Sequence, residues 1–167
     1  MFNSLQSFLD IWQDEAASTQ LIFDALTDES LNQTITPEHR SIGRLAWHIV
    51  TTLDEMTGHA GLKFDGAALG SEVPSTAAEI SDAYQRENEA MVKAIREQWS
   101  DATLFEERDM YGEDWTIGNV LWVLITHQIH HRAQITVLMR QAGLMVPGLY
   151  GPSKEDWLTR GSMPPEV

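Results

Sequence analysis

The sequence predicts an all-α fold: an up-down four-helix bundle with a short extra C-terminal segment packed across it. Three observations carry this. Apolar residues recur at spacings of three and four in four separate segments. No segment shows the strict two-residue alternation of a half-buried strand. The segments are bounded by residues that start and stop helices.

The first segment runs from Ser4 to about Leu26 and places Leu5, Leu9, Trp12, Ala16, Thr19, Phe23 and Leu26 on one face. The second, about Ser41 to Gly58, carries Leu45, Ile49, Thr52 and Met56, with Ser41 as N-cap, Gly58 as stop and Pro37 in the loop before it. The third, about Thr76 to Trp99, carries Ile80, Tyr84, Met91 and Ile95 after a Gly-rich loop ending in Pro74 and Ser75. The fourth, about Thr116 to Ala142, has Ile117, Val120, Leu121, Leu124, Ile135 and Leu138 on a nearly continuous stripe that Gly143 and Pro147 end. Between the third and fourth, Phe105 to Trp115 holds Tyr111-Gly112 between short flanks, which fits either a small hairpin or an ordered loop. The tail from Pro147 has one helical turn near Ser153 to Leu158 and is expected across one end of the bundle.

At 167 residues, 43% of them hydrophobic, the chain suits one domain spanning residues 1–167 with a single sizeable core. Eleven Lys and Arg against 25 Asp and Glu give a net charge of −14, which disfavours contact with nucleic acid or anionic membrane, although the count leaves open a local basic patch around Arg132 and Arg140. There is no cysteine, so a metal would have to rest on His, Asp or Glu. The start Met1-Phe2-Asn3-Ser4-Leu5 lacks the basic and apolar pattern of a secretory signal, and no run approaches the roughly 18 apolar residues of a membrane span. A cytoplasmic protein is expected.

In the fourth helix His127 and His131 lie four residues apart, on one face and about a turn from each other. Two imidazoles so placed can share one metal. The spacing is that of HExxH, but Gln128 stands where that motif has its carboxylate base, so a zincin protease is not indicated. Both histidines fall on the stripe Val120, Leu124, Ile135 and so should point inward. A lone inward histidine is usually a hydrogen-bonded core residue, whereas a pair leaves two imidazoles needing partners, at about 1–3 kcal/mol for each left unsatisfied. His48, three residues after Leu45 on the stripe of the second helix, can complete a triad. Three His plus water is an open coordination set of the catalytic kind, able to lower the pKa of bound water or of a substrate thiol. His39 in a loop, His59 at a helix end, and His130, about 100° around the helix from His131, suit solvent or supporting roles. Glu15, Glu87 and Asn88 lie near or within apolar stripes and receive no catalytic role, and Trp47 beside His48 is placed to line a pocket mouth.

With the segments Leu45-Ala46-Trp47-His48-Ile49, His127 to Ile135, and Arg140-Gln141-Ala142-Gly143 followed by Pro147 and Tyr150-Gly151-Pro152, nearly the whole chain resembles the DinB-like superfamily. Ala133, where many relatives carry glycine, is a mild departure. The resemblance implies a four-helix bundle, often dimeric, with a divalent zinc or nickel ion on residues matching His48, His127 and His131. Some members are metal-dependent transferases of bacillithiol, mycothiol or glutathione, others thiol-dependent isomerases. The expected function is therefore a metal-dependent S-transferase that activates a low-molecular-weight thiol for attack on an electrophile. The alternatives are a hydrolase working through metal-bound hydroxide and a non-enzymatic metal-binding stress protein. A homodimer is expected from the family habit and the six tryptophans.

Overall fold

The computed structural model describes residues 2–166. It is mostly helical: α1 (Leu5–Asp24), α2 (Ile42–His59), α3 (Ala77–Gln98), α4 (Ile117–Gln141) and the short α5 (Lys154–Thr159), with strands β1 (Glu107–Met110) and β2 (Glu113–Thr116) before α4. Two single turns of 3₁₀ helix, Glu29–Asn32 and Asp101–Phe105, lie in the connections.

Each long helix starts on a hydroxyl that accepts from an amide of its first turn. Ser4 accepts from Ser7, Ser41 from Arg44, Thr76 from Glu79 and Thr116 from Asn119. Such caps contribute about 1 kcal/mol apiece. At its other end α2 runs through Gly58 to His59, because the left-handed residue that turns the chain is Gly61 (φ 94°).

Tyr111-Gly112 is the turn of a hairpin, with Arg108 opposite Trp115 and Met110 opposite Glu113. Both turn residues have positive φ, 63° and 91°, the conformation that matches the twist of two paired strands. Tyr111 adopts it without being glycine. It is held from outside by its hydroxyl, which donates to Glu55 of α2 at 2.6 Å, and by its ring against His59 and Trp115.

The stripes named from the sequence meet in one hydrophobic cluster that draws on all four long helices. α2 packs chiefly on α4 and α3, and α1 on α3 and α4. Directions follow from residue pairs. Trp12 donates to Asn88 and Gln20 to Ser81, so α1 and α3 run oppositely. Phe2 meets Trp122 while Glu15 meets Arg132, so α1 and α4 run the same way. Leu45 shares a cleft with Leu138, and Met56 shares one with Val123, so α2 opposes α4. The order is up, down, down, up, which corrects the alternating bundle expected from periodicity. The cause is the connection 60–76, which retraces α2 from end to start: Gly66 lies at Asp54, Ser71 accepts from the Trp47 indole at 3.2 Å, and Val73 lies at Gly43. An 18-residue helix is about 27 Å long, and an extended loop at about 3.3 Å per residue covers that readily.

The C-terminal segment crosses the side of the bundle, not an end. Tyr150 reaches Glu15 in mid-α1, and Arg140 pairs with Glu155. Beneath Tyr150 lies a buried ion pair: Arg132 donates to the Glu15 carboxylate at 2.5 Å, to the Glu15 carbonyl at 2.8 Å and to Thr19 at 3.1 Å. Tyr150 donates to the same carboxylate at 2.8 Å. The cations Arg132 and Arg140 are thus both neutralised by carboxylates and form no basic patch. Removing one partner of a buried pair leaves the other charge stranded, whereas an exposed pair contributes little. Arg132→Ala is predicted to destabilise the protein by about 3–5 kcal/mol in urea titration, and Arg140→Ala by about 1 kcal/mol or less. Equal losses would contradict this assignment.

Candidate metal centre

The antiparallel packing of α2 on α4 brings His48 against His127 and His131. His48 Nε2 stands 3.1 Å from His127 Nε2, and the three ring centroids lie 4.5–4.9 Å apart. One ring nitrogen from each histidine falls within 4.8 Å of the other two. Three nitrogens bound tetrahedrally to zinc at 2.0–2.1 Å are about 3.3 Å from one another, so small side-chain rotations suffice to bind. Three neutral imidazoles, with no thiolate or carboxylate in the set, suit zinc, nickel or copper better than magnesium or calcium. The residues present fit a divalent ion, and these three histidines could hold one.

The imidazoles converge as their inward spacing predicts, and they are half-buried. In the middle of α4 the buried positions are Gln128 and Arg132, each 1% exposed, and the histidines sit at the margin of that strip. The Gln128 carbonyl accepts from Tyr84 at 2.7 Å, and Arg132 is tied to Glu15. The rim placement keeps the triad reachable from solvent, as an exchangeable coordination position requires.

Burial, foremost, pushes the pKa of His48 and of His127 down to about 4, and nearby positive charge from His131 and Arg40 adds to it. His131 is lowered too, by burial first, against an opposing hydrogen bond from Gln134. At neutral pH the histidines therefore present lone pairs, the form that ligates. Gln134 supplies the supporting contact. Its carbonyl oxygen lies 2.8 Å from His131 Nδ1 and its amide nitrogen 3.1 Å from His130 Nε2. Accepting from Nδ1–H fixes the tautomer that leaves His131 Nε2 free for a metal.

Clefts flank the triad. One of about 300 Å³ is apolar and aromatic, with Met56, Leu69, Tyr111, Trp115 and Val123 beside His48 and His127. A second, about 310 Å³, has Arg40, Arg44, Trp47 and Ser71 beside His48. A third, about 460 Å³, joins Arg40, His39 and Val137 to His131. Trp47 does line a cleft next to His48.

Of the six histidines the structure gathers His48, His127 and His131. His39 is exposed, its Nδ1 2.6 Å from the Thr36 hydroxyl, His59 lies 3.8 Å from Glu55, and His130 is exposed beside Gln134. Gln134 and Arg40 escaped the sequence reading. Gln134 was detectable as the residue three positions after His131, on the same side of the helix, whereas Arg40, in a loop, carries no periodic signal.

A helical protein with a three-histidine centre between two antiparallel helices is the class that fold and site define. Residues 1–164 match the sequence pattern of the DinB family. The chain belongs to that family. It is 45% identical over 167 residues, the whole of both chains, to YrdA of Bacillus subtilis (strain 168), itself described as uncharacterized. A crystal structure of a DinB-like protein from Bacillus cereus ATCC 10987 superimposes with a TM-score of 0.87 at 46% identity, covering 90% of this chain and 100% of that one. The DinB-like YjoA of Bacillus subtilis shares the fold at 16% identity, with a TM-score of 0.68 over 87% of this chain and 98% of its own.

Metal titration should find that His48→Ala, His127→Ala and His131→Ala each remove most divalent-metal binding while His39→Ala and His59→Ala leave it intact. Gln134→Ala should weaken it about 10–100-fold. Unchanged affinity in two of the three triad variants would sink the assignment. A pH dependence follows as well. In the unfolded chain histidine titrates near 6.5, whereas folded His48 and His127 resist protonation down to about 4. Between those values the unfolded chain binds more protons, so stability of the metal-free protein falls as pH drops from about 6.5 towards about 4. Melting temperatures in chelator should decline across that window, and less steeply in His48→Gln/His127→Gln. Identical slopes would contradict the reading.

Proposed function

We propose that this chain, as one domain, is a divalent-metal-dependent transferase that activates a low-molecular-weight thiol for attack on an electrophile, with zinc the first candidate ion and nickel the second. The supporting observation is the position of the three half-buried imidazoles between clefts of different character, both reaching His48: one aromatic and apolar, one cationic. Two reactants can approach from two sides. A divalent ion on the triad would supply Lewis acidity, drawing the pKa of a bound thiol or water towards neutrality.

The chain's own residues do the rest. His48, His127 and His131 offer neutral donors, and Gln134 fixes the direction of His131. Leu69, Tyr111 and Trp115 wall the aromatic cleft and give an electrophile apolar surface to rest on. The thiol must come from outside, since the chain has no cysteine.

A hydrolase is the second reading. Its nucleophile would be hydroxide on the ion itself, and Glu55, which lines the aromatic cleft and accepts from the Tyr111 hydroxyl at 2.6 Å, is a carboxylate near the triad. Dependence of turnover on an added thiol separates the two readings.

The test uses cobalt in place of the native ion. Addition of glutathione, bacillithiol, mycothiol or cysteine should produce a thiol-to-metal charge-transfer band with at least one of them, and the band should vanish in His131→Ala. A spectrum unmoved by the whole panel would remove the transferase reading and leave hydrolase or metal-binding protein ahead.

A further inference from the structure

Positive charge is scarce in this chain, with 11 Lys and Arg against 25 Asp and Glu. Among the described residues Arg108, Arg132, Arg140 and Lys93 are each paired with a glutamate. Arg40 and Arg44 are exposed, and neither guanidinium has an ion pair or side-chain hydrogen bond among the described residues. Lys63, Arg86, Arg96, Lys154 and Arg160 also lack an ion pair, but none of those five lines a cleft at the triad, whereas Arg40 and Arg44 do. They stand together at the start of α2, on the wall of the cleft of about 310 Å³ that contains His48. Arg40 also borders the cleft at His131, and its charge bears on all three imidazoles.

This placement is unfavourable by itself. Cations oppose the positive end of a helix, yet the first turn of α2 carries no acidic residue and does carry Arg44. A divalent ion on three neutral imidazoles would add charge beside Arg40, with no carboxylate among the donors to balance it. An anion in the cleft relieves both repulsions. Two guanidinium forks offer the bidentate geometry that oxyanions take, and Trp47 and Leu69 give the cleft an apolar floor that strengthens such contacts.

We infer that Arg40 and Arg44 form an oxyanion subsite which holds a carboxylate or phosphate group of the co-substrate while the rest of that molecule faces the histidine triad. That the co-substrate is a thiol rests on the function proposed above; the subsite itself rests on the two arginines and the cleft. It makes the thiol an acidic one, and it assigns this reactant to the cationic cleft and the electrophile to the aromatic cleft.

The experiment compares 3-mercaptopropionate with its neutral isostere 3-mercaptopropionamide, titrated onto the cobalt-loaded protein and read from the charge-transfer band. The wild type should bind the anionic thiol about tenfold more tightly, a preference that weakens as salt is raised. Arg40→Ala/Arg44→Ala should retain its metal and lose the preference, and Arg40→Lys/Arg44→Lys should keep part of it. Equal affinities in the wild type, or a preference that survives in the alanine variant, would overturn the subsite. If neither thiol perturbs the spectrum, the thiol reading fails, and the subsite is then judged by calorimetric titration of malonate and inorganic phosphate onto the metal-loaded protein. Binding of either at least about fivefold weaker in the alanine variant supports it and tells carboxylate from phosphate. No binding of either, or binding unchanged in the variant, overturns it.

Discussion

Three imidazoles confront one another across the contact between α2 and α4, and much of the molecule is arranged around that confrontation. His48 Nε2 and His127 Nε2 lie 3.1 Å apart, so without an ion one hydrogen bond can join them, and it leaves the converging nitrogen of His131 without a partner in the set. Burial forbids the obvious escape, protonation, by holding two of the three near a pKa of 4. A shared divalent cation resolves the conflict, because it satisfies all three lone pairs at once and needs the neutral form that the site enforces. The same geometry turns a helix contact into a chemical site.

The contact has to be held in register for this to work. One residue beyond His131, Arg132 plunges into the core and fastens α4 to Glu15 of α1, with Tyr150 of the C-terminal segment donating to the same carboxylate. A slide of α4 by one residue would strand that buried charge and separate the histidines together. On the other side the connection 60–76 retraces α2 and delivers Leu69 and Ser71 to the clefts. The hairpin between α3 and α4 delivers Tyr111 and Trp115, anchored through Glu55. Connections of this length let α2 and α3 run the same way, and they also build the walls of the site.

The helices were legible because their stripes are apolar and their starts are hydroxyl-bearing: Ser41 was readable as a cap and Gly143 as a stop. The triad was legible because His48, His127 and His131 fall on spacings of three and four with those stripes. Helix direction was not, since periodicity says which face is buried and nothing about which neighbour buries it. How deep the histidines lie was not legible either, for a related reason. On α4 the spacings Leu124–Gln128–Arg132–Ile135 and Leu124–His127–His131–Ile135 are equally helical, and the truly buried branch is the one carrying Gln128 and Arg132, whose polarity disguised it. Arg40 was not legible because it lies in a loop without periodic signal, and only the packing of α2 on α4 brings it to the clefts beside His48 and His131.

X-ray absorption at the metal edge of protein purified without an affinity tag tests the central claim most directly. One divalent ion per chain, with three imidazole nitrogens at about 2.0–2.1 Å and a further light-atom ligand that exchanges, is the predicted result. A protein that carries less than about a tenth of an ion per chain and takes up none on titration, or one whose ion shows no imidazole scattering, would contradict the account.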